Sequence, residues 1–134
     1  MALVGAPNAG KSTLLNRWLG TKLSIVSPRP STTRNRVLGI LTQEATGESA
    51  GYQLVLLDTP GVVRPKYRLH QHMMRDVDRS LGDADVTVFM ADATEQRLTH
   101  DARQAAARVA ASPAPVLLAL NKTDRLGLVD AALP

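Results

Sequence analysis

Gly5, Gly10, Lys11 and Ser12 stand in the pattern G-x4-G-K-[ST], within the stretch GAPNAGKSTLLNRWLG at residues 5–20. Glycines let the backbone curl so that successive N–H groups point inward, a concavity that suits phosphate oxygens. A helix beginning near Lys11 aims its positive dipole end at the same place. In this arrangement Asn8, Ala9, Gly10, Lys11, Ser12 and Thr13 form the cradle. Lys11 bridges the β- and γ-phosphates of a nucleotide, and the Ser12 hydroxyl is a ligand for Mg2+. The alternative is a Gly-rich turn with an incidental Lys-Ser, which the flanking strand and helix patterns disfavour.

A second stretch, LVLLDTPG at residues 54–61, is an apolar strand that ends in a carboxylate. Asp58 is expected to hold Mg2+, through a water, and the Gly61 N–H to reach the γ-phosphate. Alone, Asp-Thr-Pro-Gly is a good turn sequence and nothing more. Downstream of the phosphate cradle and at a strand end, it becomes the second half of a metal and phosphate site.

A third stretch, LLALNKTD at residues 117–124, again ends a strand. Asp124 can accept from both N1–H and the 2-amino group of guanine. Adenine lacks that amino group and presents a bare N1 lone pair, so the carboxylate would be left unpaired or repelled. Asn121 is expected to tie this loop to the phosphate cradle, and the Lys122 stem to cover the base plane. An isolated Asn-Lys-x-Asp is a polar loop. Third in order after the other two, it favours GTP over ATP and argues against an ATP-dependent small-molecule kinase.

These loops need strands to end at one edge of a sheet and helices to begin there. Short β-rich runs lie at Ala2–Val4, Val37–Thr42, Tyr52–Leu57, Val86–Met90 and Val116–Leu120, with helical patterns at Lys11–Leu19, His70–Leu81 and Thr99–Ala111. Strand–helix alternation implies right-handed crossovers and a mostly parallel sheet. Val37–Thr42 and Tyr52–Leu57 are separated only by polar, Gly-containing sequence and read as an antiparallel hairpin. The expected fold is a three-layer α/β domain with one antiparallel edge strand, its ligand beyond the carboxyl ends of the strands.

Composition excludes several alternatives. The 134 residues suit one domain, and no apolar run is long enough to span a membrane. No signal peptide is visible, so a cytoplasmic protein is expected. Cysteine is absent, which removes disulfides and thiolate metal sites, and His70, His72 and His100 are not spaced as ligands. The net charge of +4 suits an anionic partner, either polyphosphate or RNA. Aromatic residues, at 3%, are too few for a base-stacking platform.

With GAPNAGKSTLLN, STTRNRVLGI, VLLDTPGV, LGDADVTVFMADA and VLLALNKTD on the page, the chain resembles the G domain of the Era family of translation-factor-like P-loop GTPases along essentially its whole length. The related tRNA-modification and double-G-domain GTPases share most of these motifs. The resemblance implies a GTP-hydrolysing switch in small ribosomal subunit assembly. It also implies a threonine of the first switch that completes the magnesium site. STTRNR offers Thr32 and Thr33, and the family's Thr-Arg pairing selects Thr33. Asn35 stands where a histidine or aspartate is expected after Thr-Thr-Arg. Lys11, Thr33 and Gly61 would act on the transferring phosphoryl group.

Val62 occupies the place where many small GTPases carry a water-orienting Gln, so slow intrinsic hydrolysis is expected. Asn8 matches the asparagine that potassium-dependent relatives use as a K+ ligand, where the cation offsets charge near the phosphates. Arg29, Arg34 and Arg36 flank the first switch, and Arg64, Lys66 and Arg68 follow the second. They suit RNA phosphates or a protein partner, or are simply solvated. The family carries a C-terminal KH domain as its main RNA contact, and nothing of that kind follows Asp124. The expectation is a G domain truncated at its C-terminal end, with apolar surface bare around Val116–Leu120. The competing reading is a nucleotide-binding fragment without turnover.

Overall fold

In the computed structural model, which describes residues 1–47 and 49–126, strands and helices alternate as the apolar periodicity dictates. The strands are β1 Ala2–Gly5, β2 Val37–Gln43, β3 Tyr52–Asp58, β4 Thr87–Asp92 and β5 Val116–Asn121. The helices are α1 Lys11–Leu19, α2 Arg68–Asp83 and α3 His100–Ala110. Helix α2 extends two residues beyond the expected His70–Leu81 at each end, and Leu69 continues its four-residue apolar spacing at the N-terminal side.

The sheet runs β2-β3-β1-β4-β5. β1 pairs in parallel with β3 and β4, β5 pairs in parallel with β4, and β2 alone is antiparallel, against β3. The expected hairpin edge is therefore present. Side-chain alternation on the central strand divides the core in two. Ala2 and Val4 face α2 and α3, and pack with Leu57, Val62, Met73, Val77 and Val109. Leu3 faces α1 and packs with Leu15, Leu56, Val88 and Met90. Three layers result.

Local signals fix the helix ends. Thr99 caps α3, its Oγ1 accepting from Ala102 N at 3.2 Å, and Asp101 sits in the first turn where the dipole favours a carboxylate. Helix α1 stops at Gly20, which adopts φ 65. Met73, Val77 and Leu81 recur at four-residue spacing and give α2 its buried stripe. Burying side chains of this size contributes about 1.5–3 kcal/mol each.

At the far edge, β5 pairs with no further strand among the described residues, and Leu117, Leu118 and Leu120 are exposed. No described helix is long and apolar enough to cross a membrane. β1, β3, β4 and β5 all deliver their carboxyl ends to one edge, and every candidate loop leaves from there.

Candidate nucleotide and metal site

The first loop bridges the end of β1 and the start of α1. Asn8 and Gly10 both take positive φ, 61 and 104. At Gly10 the φ of 104 strains any side chain, and a Cβ would also lie 2.1 Å from Asn121 Nδ2 and displace it. Lys11 is buried, and its ammonium donates to Gly5 O at 3.2 Å and Ala6 O at 2.8 Å. Burial lowers its pKa to about 8, against the opposing pull of the Asp58 carboxylate. The ammonium thus lies folded into the loop it closes, among oxygen acceptors and under the start of α1.

Beside it three oxygens converge. Ser12 Oγ donates to Asp58 Oδ2 at 2.6 Å and lies 3.1 Å from Thr33 Oγ1. Thr32 instead donates to Arg29 O at 3.2 Å, so of the two threonines it is Thr33 that reaches this corner. Asp58 is fully buried at the end of β3, and burial pushes its pKa up, opposed by Ser12, Ser24 and Lys11. The Ser24 hydroxyl is close enough to oppose that rise, yet neither it nor Asp58 Oδ1 has an aligned hydrogen-bond partner. We read the two as adjacent but not aligned. A buried carboxylate oxygen without a donor calls for a cation, and two hydroxyls plus a carboxylate are the hard oxygen set that suits Mg2+. The residues fit that ion.

The first switch is tied at two points. Asn16 accepts from Leu23 N and Ser24 N at 2.9 and 2.8 Å and donates to Ser24 O at 2.8 Å. Asn8 Nδ2 donates to Pro28 O at 3.2 Å.

The loop after β3 is docked tightly. Thr59 Oγ1 donates to Leu3 O at 2.7 Å, and Val62 N donates to Gly5 O at 3.0 Å. A Cβ on Gly61 would lie 2.8 Å from the Pro7 backbone, so this close approach also requires glycine. The Val62 side chain is wholly buried with Met73 and Val77, away from the cavity. Its inability to orient water is thus a matter of direction as well as of chemistry.

On the other side, Asn121 Nδ2 donates to Ala9 O at 2.9 Å, which joins the loop after β5 to the loop between β1 and α1. Lys122 adopts φ 63, and Asp124 lies in a 3-10 turn over Thr123–Leu126. A cavity of about 500 Å³ runs between these loops. Asn8, Gly10, Lys11, Ser12, Thr13, Thr33, Gly61, Asn121, Lys122 and Asp124 all line it. Ala9 and Asp58 do not: Ala9 is buried and offers its carbonyl to Asn121, and Asp58 acts from beneath Ser12.

Sequence reasoning missed Asn16, Ser24 and Asp92. Asp92 ends β4 as Asp58 ends β3, so the strand-end carboxylate was a usable signal. Asn16 and Ser24 gave none, because their contacts exist only in the folded chain.

Residues 1–122 match the 50S ribosome-binding GTPase family. Among curated proteins, GTPase Era of Aquifex aeolicus is 43% identical over 138 residues, covering 100% of this chain and 44% of the relative. GTPase Era of Deinococcus deserti is 41% identical over 133 residues, covering 99% and 41%. The chain thus spans less than half the length of these relatives. Among solved structures, an Aquifex aeolicus Era variant bound to GDP·AlF4− superposes with TM-score 0.82 at 42% identity, over 94% of this chain and 41% of that one. Era in complex with MgGDPNP and nucleotides 1506–1542 of 16S ribosomal RNA superposes with TM-score 0.81 at 44% identity, with the same coverage. A variant of S. thermophilus NFeoB bound to GDP·AlF4− gives 0.70 at 26% identity, over 99% and 49%. Since the matched span contains all five strands and every loop that meets at their carboxyl edge except the turn bearing Asp124, the chain belongs to the 50S ribosome-binding GTPase family and is Era-like within it.

Proposed function

We propose that this chain binds GTP and GDP and hydrolyses GTP, as the nucleotide switch of an Era-like protein acting in small ribosomal subunit assembly. The observation that carries the reading is the Asn121–Ala9 bond, because it makes a phosphate cradle and a guanine-reading loop the two ends of one cavity. Lys11 holds the β- and γ-phosphates, and backbone N–H groups of the loop that leads into α1 complete the cradle. Ser12, Thr33 and Asp58 would hold Mg2+, which would supply charge neutralisation for the phosphates. The Gly61 N–H orients the γ-phosphate, and Asp124 reads the base.

Support for an RNA partner comes from the structural relative solved with 16S ribosomal RNA and from Arg29, Arg34, Arg64, Lys66 and Arg68 around the two switches. The main RNA contact would lie in a KH domain outside this chain. A second reading, binding without turnover, draws on Val62, whose buried apolar side chain offers the attacking water no hydrogen bond. Calorimetry with GTP, GDP, ATP and ADP tests the first part: micromolar or tighter guanine binding with no adenine binding is expected, and equal affinities would overturn it. Phosphate release then separates a GTPase from an inert binder.

Potassium stimulation belongs to the same reading. Asn8 Nδ2 is engaged by Pro28 O, and its carbonyl oxygen accepts no hydrogen bond among the described residues, so it is available as a cation ligand beside the phosphate cradle. A cation there offsets developing charge much as an arginine finger does. Replacing Na+ by K+ should raise turnover at least about tenfold from a slow basal rate, and Asn8→Ala should remove the rise. Equal rates in the two salts, with GTP binding intact, would end the K+ proposal.

A further inference from the structure

We propose that Asp92 is a positioning residue of the guanine loop, holding the Lys122 stem flat along the cavity wall where the base would lie. This rests on the guanine-nucleotide reading and adds to it a residue that touches no ligand. Asp92 is the last residue of β4, in register with Asn121 of β5, and Ala93 N donates to Asn121 O at 2.9 Å. The sheet itself therefore delivers the carboxylate to the base of the loop. Its direction is then locked: Asp92 Oδ1 accepts from Thr94 N at 2.9 Å and Thr94 Oγ1 at 2.6 Å. Oδ2 is left for Lys122 Nζ, which donates to it at 2.5 Å.

Three features make this more than a surface ion pair. The two side chains are only 15% and 24% exposed, so solvent screens them less than the other ion pairs among the described residues. Lys122 holds φ 63, a left-handed conformation that an L-residue keeps only when its surroundings over-determine it. Lys122 lines the cavity and Asp92 does not, so the carboxylate acts through the lysine. Burial pushes the Asp92 carboxyl up, but hydrogen bonds from Lys122 and Thr94 and the lysine charge outweigh it and hold the pKa at about 2. The anchor is therefore charged at any working pH.

An anchored lysine presents its four methylenes as an apolar wall. Without the anchor, the ammonium is free to swing toward the phosphates and the wall is lost. Such a wall stacks on any purine but offers nothing to a ligand that has no base. The test is competition calorimetry on the wild-type chain, Asp92→Asn, Lys122→Met and the double variant, with GDP, IDP and inorganic pyrophosphate. In Asp92→Asn, GDP and IDP should weaken by the same factor, about tenfold, with pyrophosphate unchanged. The double variant should be no weaker than Lys122→Met. Thr94→Val, which keeps the charge and the Thr94 N bond but removes the Oγ1 bond that helps fix its direction, should give a smaller loss of the same kind and serves if Asp92→Asn does not fold. Equal loss of pyrophosphate, additive losses in the double variant, or GDP affinity within twofold of wild type would each overturn the positioning role. Failure of the wild-type chain to bind GDP would overturn the reading beneath it.

Discussion

Lys11→Ala is expected to abolish useful affinity for both GDP and GTP while leaving the empty domain folded. Lys11 is the buried cation of the phosphate loop, and its ammonium already sits against two backbone oxygens, Gly5 O and Ala6 O. Its pKa of about 8, set by burial and opposed by Asp58, still leaves it mainly charged at neutral pH. Removing one partner of a buried, hydrogen-bonded charge pair costs about 2–5 kcal/mol of binding, or roughly 30- to 5,000-fold in Kd. Because the proposed role of Lys11 is on phosphates that both nucleotides carry, the loss should be of similar size for GDP and GTP.

Stability should respond differently. The variant relieves the desolvation of an ammonium but strips one donor each from Gly5 O and Ala6 O, which keep their bonds from Val62 N and Ala9 N. These effects oppose each other, so Tm of the empty chain should stay within about 5 °C of wild type. Isothermal calorimetry with GDP, alongside a thermal scan without nucleotide, separates the two. A variant that binds GDP within tenfold of wild type would show that Lys11 does not hold the phosphates.

What could be read from the sequence divides by the range of the cause. Gly10 and Lys11 were legible because residue type alone carries the information: a left-handed backbone, and a cation where an anion must go. Asp58 was legible because Thr-Pro-Gly follows it and marks a turn. Asp92 stands at an equivalent strand end, but Ala-Thr follows it, and its partner Lys122 is brought near only by the β4–β5 register. Val62 could be read as a residue unable to bond water. Its burial under α2 depends on Met73 and Val77, packed there by the fold. The Asn16 bracket around Ser24 holds segments together by tertiary contact, and no periodicity encodes that. Residue chemistry showed what could act. Asn121, which holds two loops together, was legible through its motif, whereas the contacts of Asn16 and Asp92 became visible only in three dimensions.

Asp124→Asn should invert the base preference of the cavity from guanine to xanthine. Asp124 lies in the turn that follows Lys122, lines the cavity, and makes no hydrogen bond with any other described residue, so its carboxylate is free for a ligand. Guanine presents N1–H and a 2-amino group as parallel donors, and a carboxylate accepts from both. An asparagine keeps one acceptor but turns a donor toward the amino group, leaving two donors facing each other. Hydrogen bonds to a charged group contribute about 1.5–3 kcal/mol each, so losing the pair should weaken GDP by roughly a hundredfold or more. Xanthine carries a carbonyl in place of the amino group, and the asparagine amide can donate to it while accepting from N1–H. XDP should therefore gain what GDP loses, and the variant should bind XDP more tightly than GDP. IDP, which lacks the 2-amino group, gives an internal check: the wild-type gap between GDP and IDP should narrow sharply in Asp124→Asn, whereas Asp92→Asn should leave it unchanged. Because Asp124 is exposed, the substitution should move stability by no more than about 0.5 kcal/mol. Competition titrations with GDP, XDP and IDP on both chains decide it: a variant that still prefers GDP to XDP would mean that another residue reads the base.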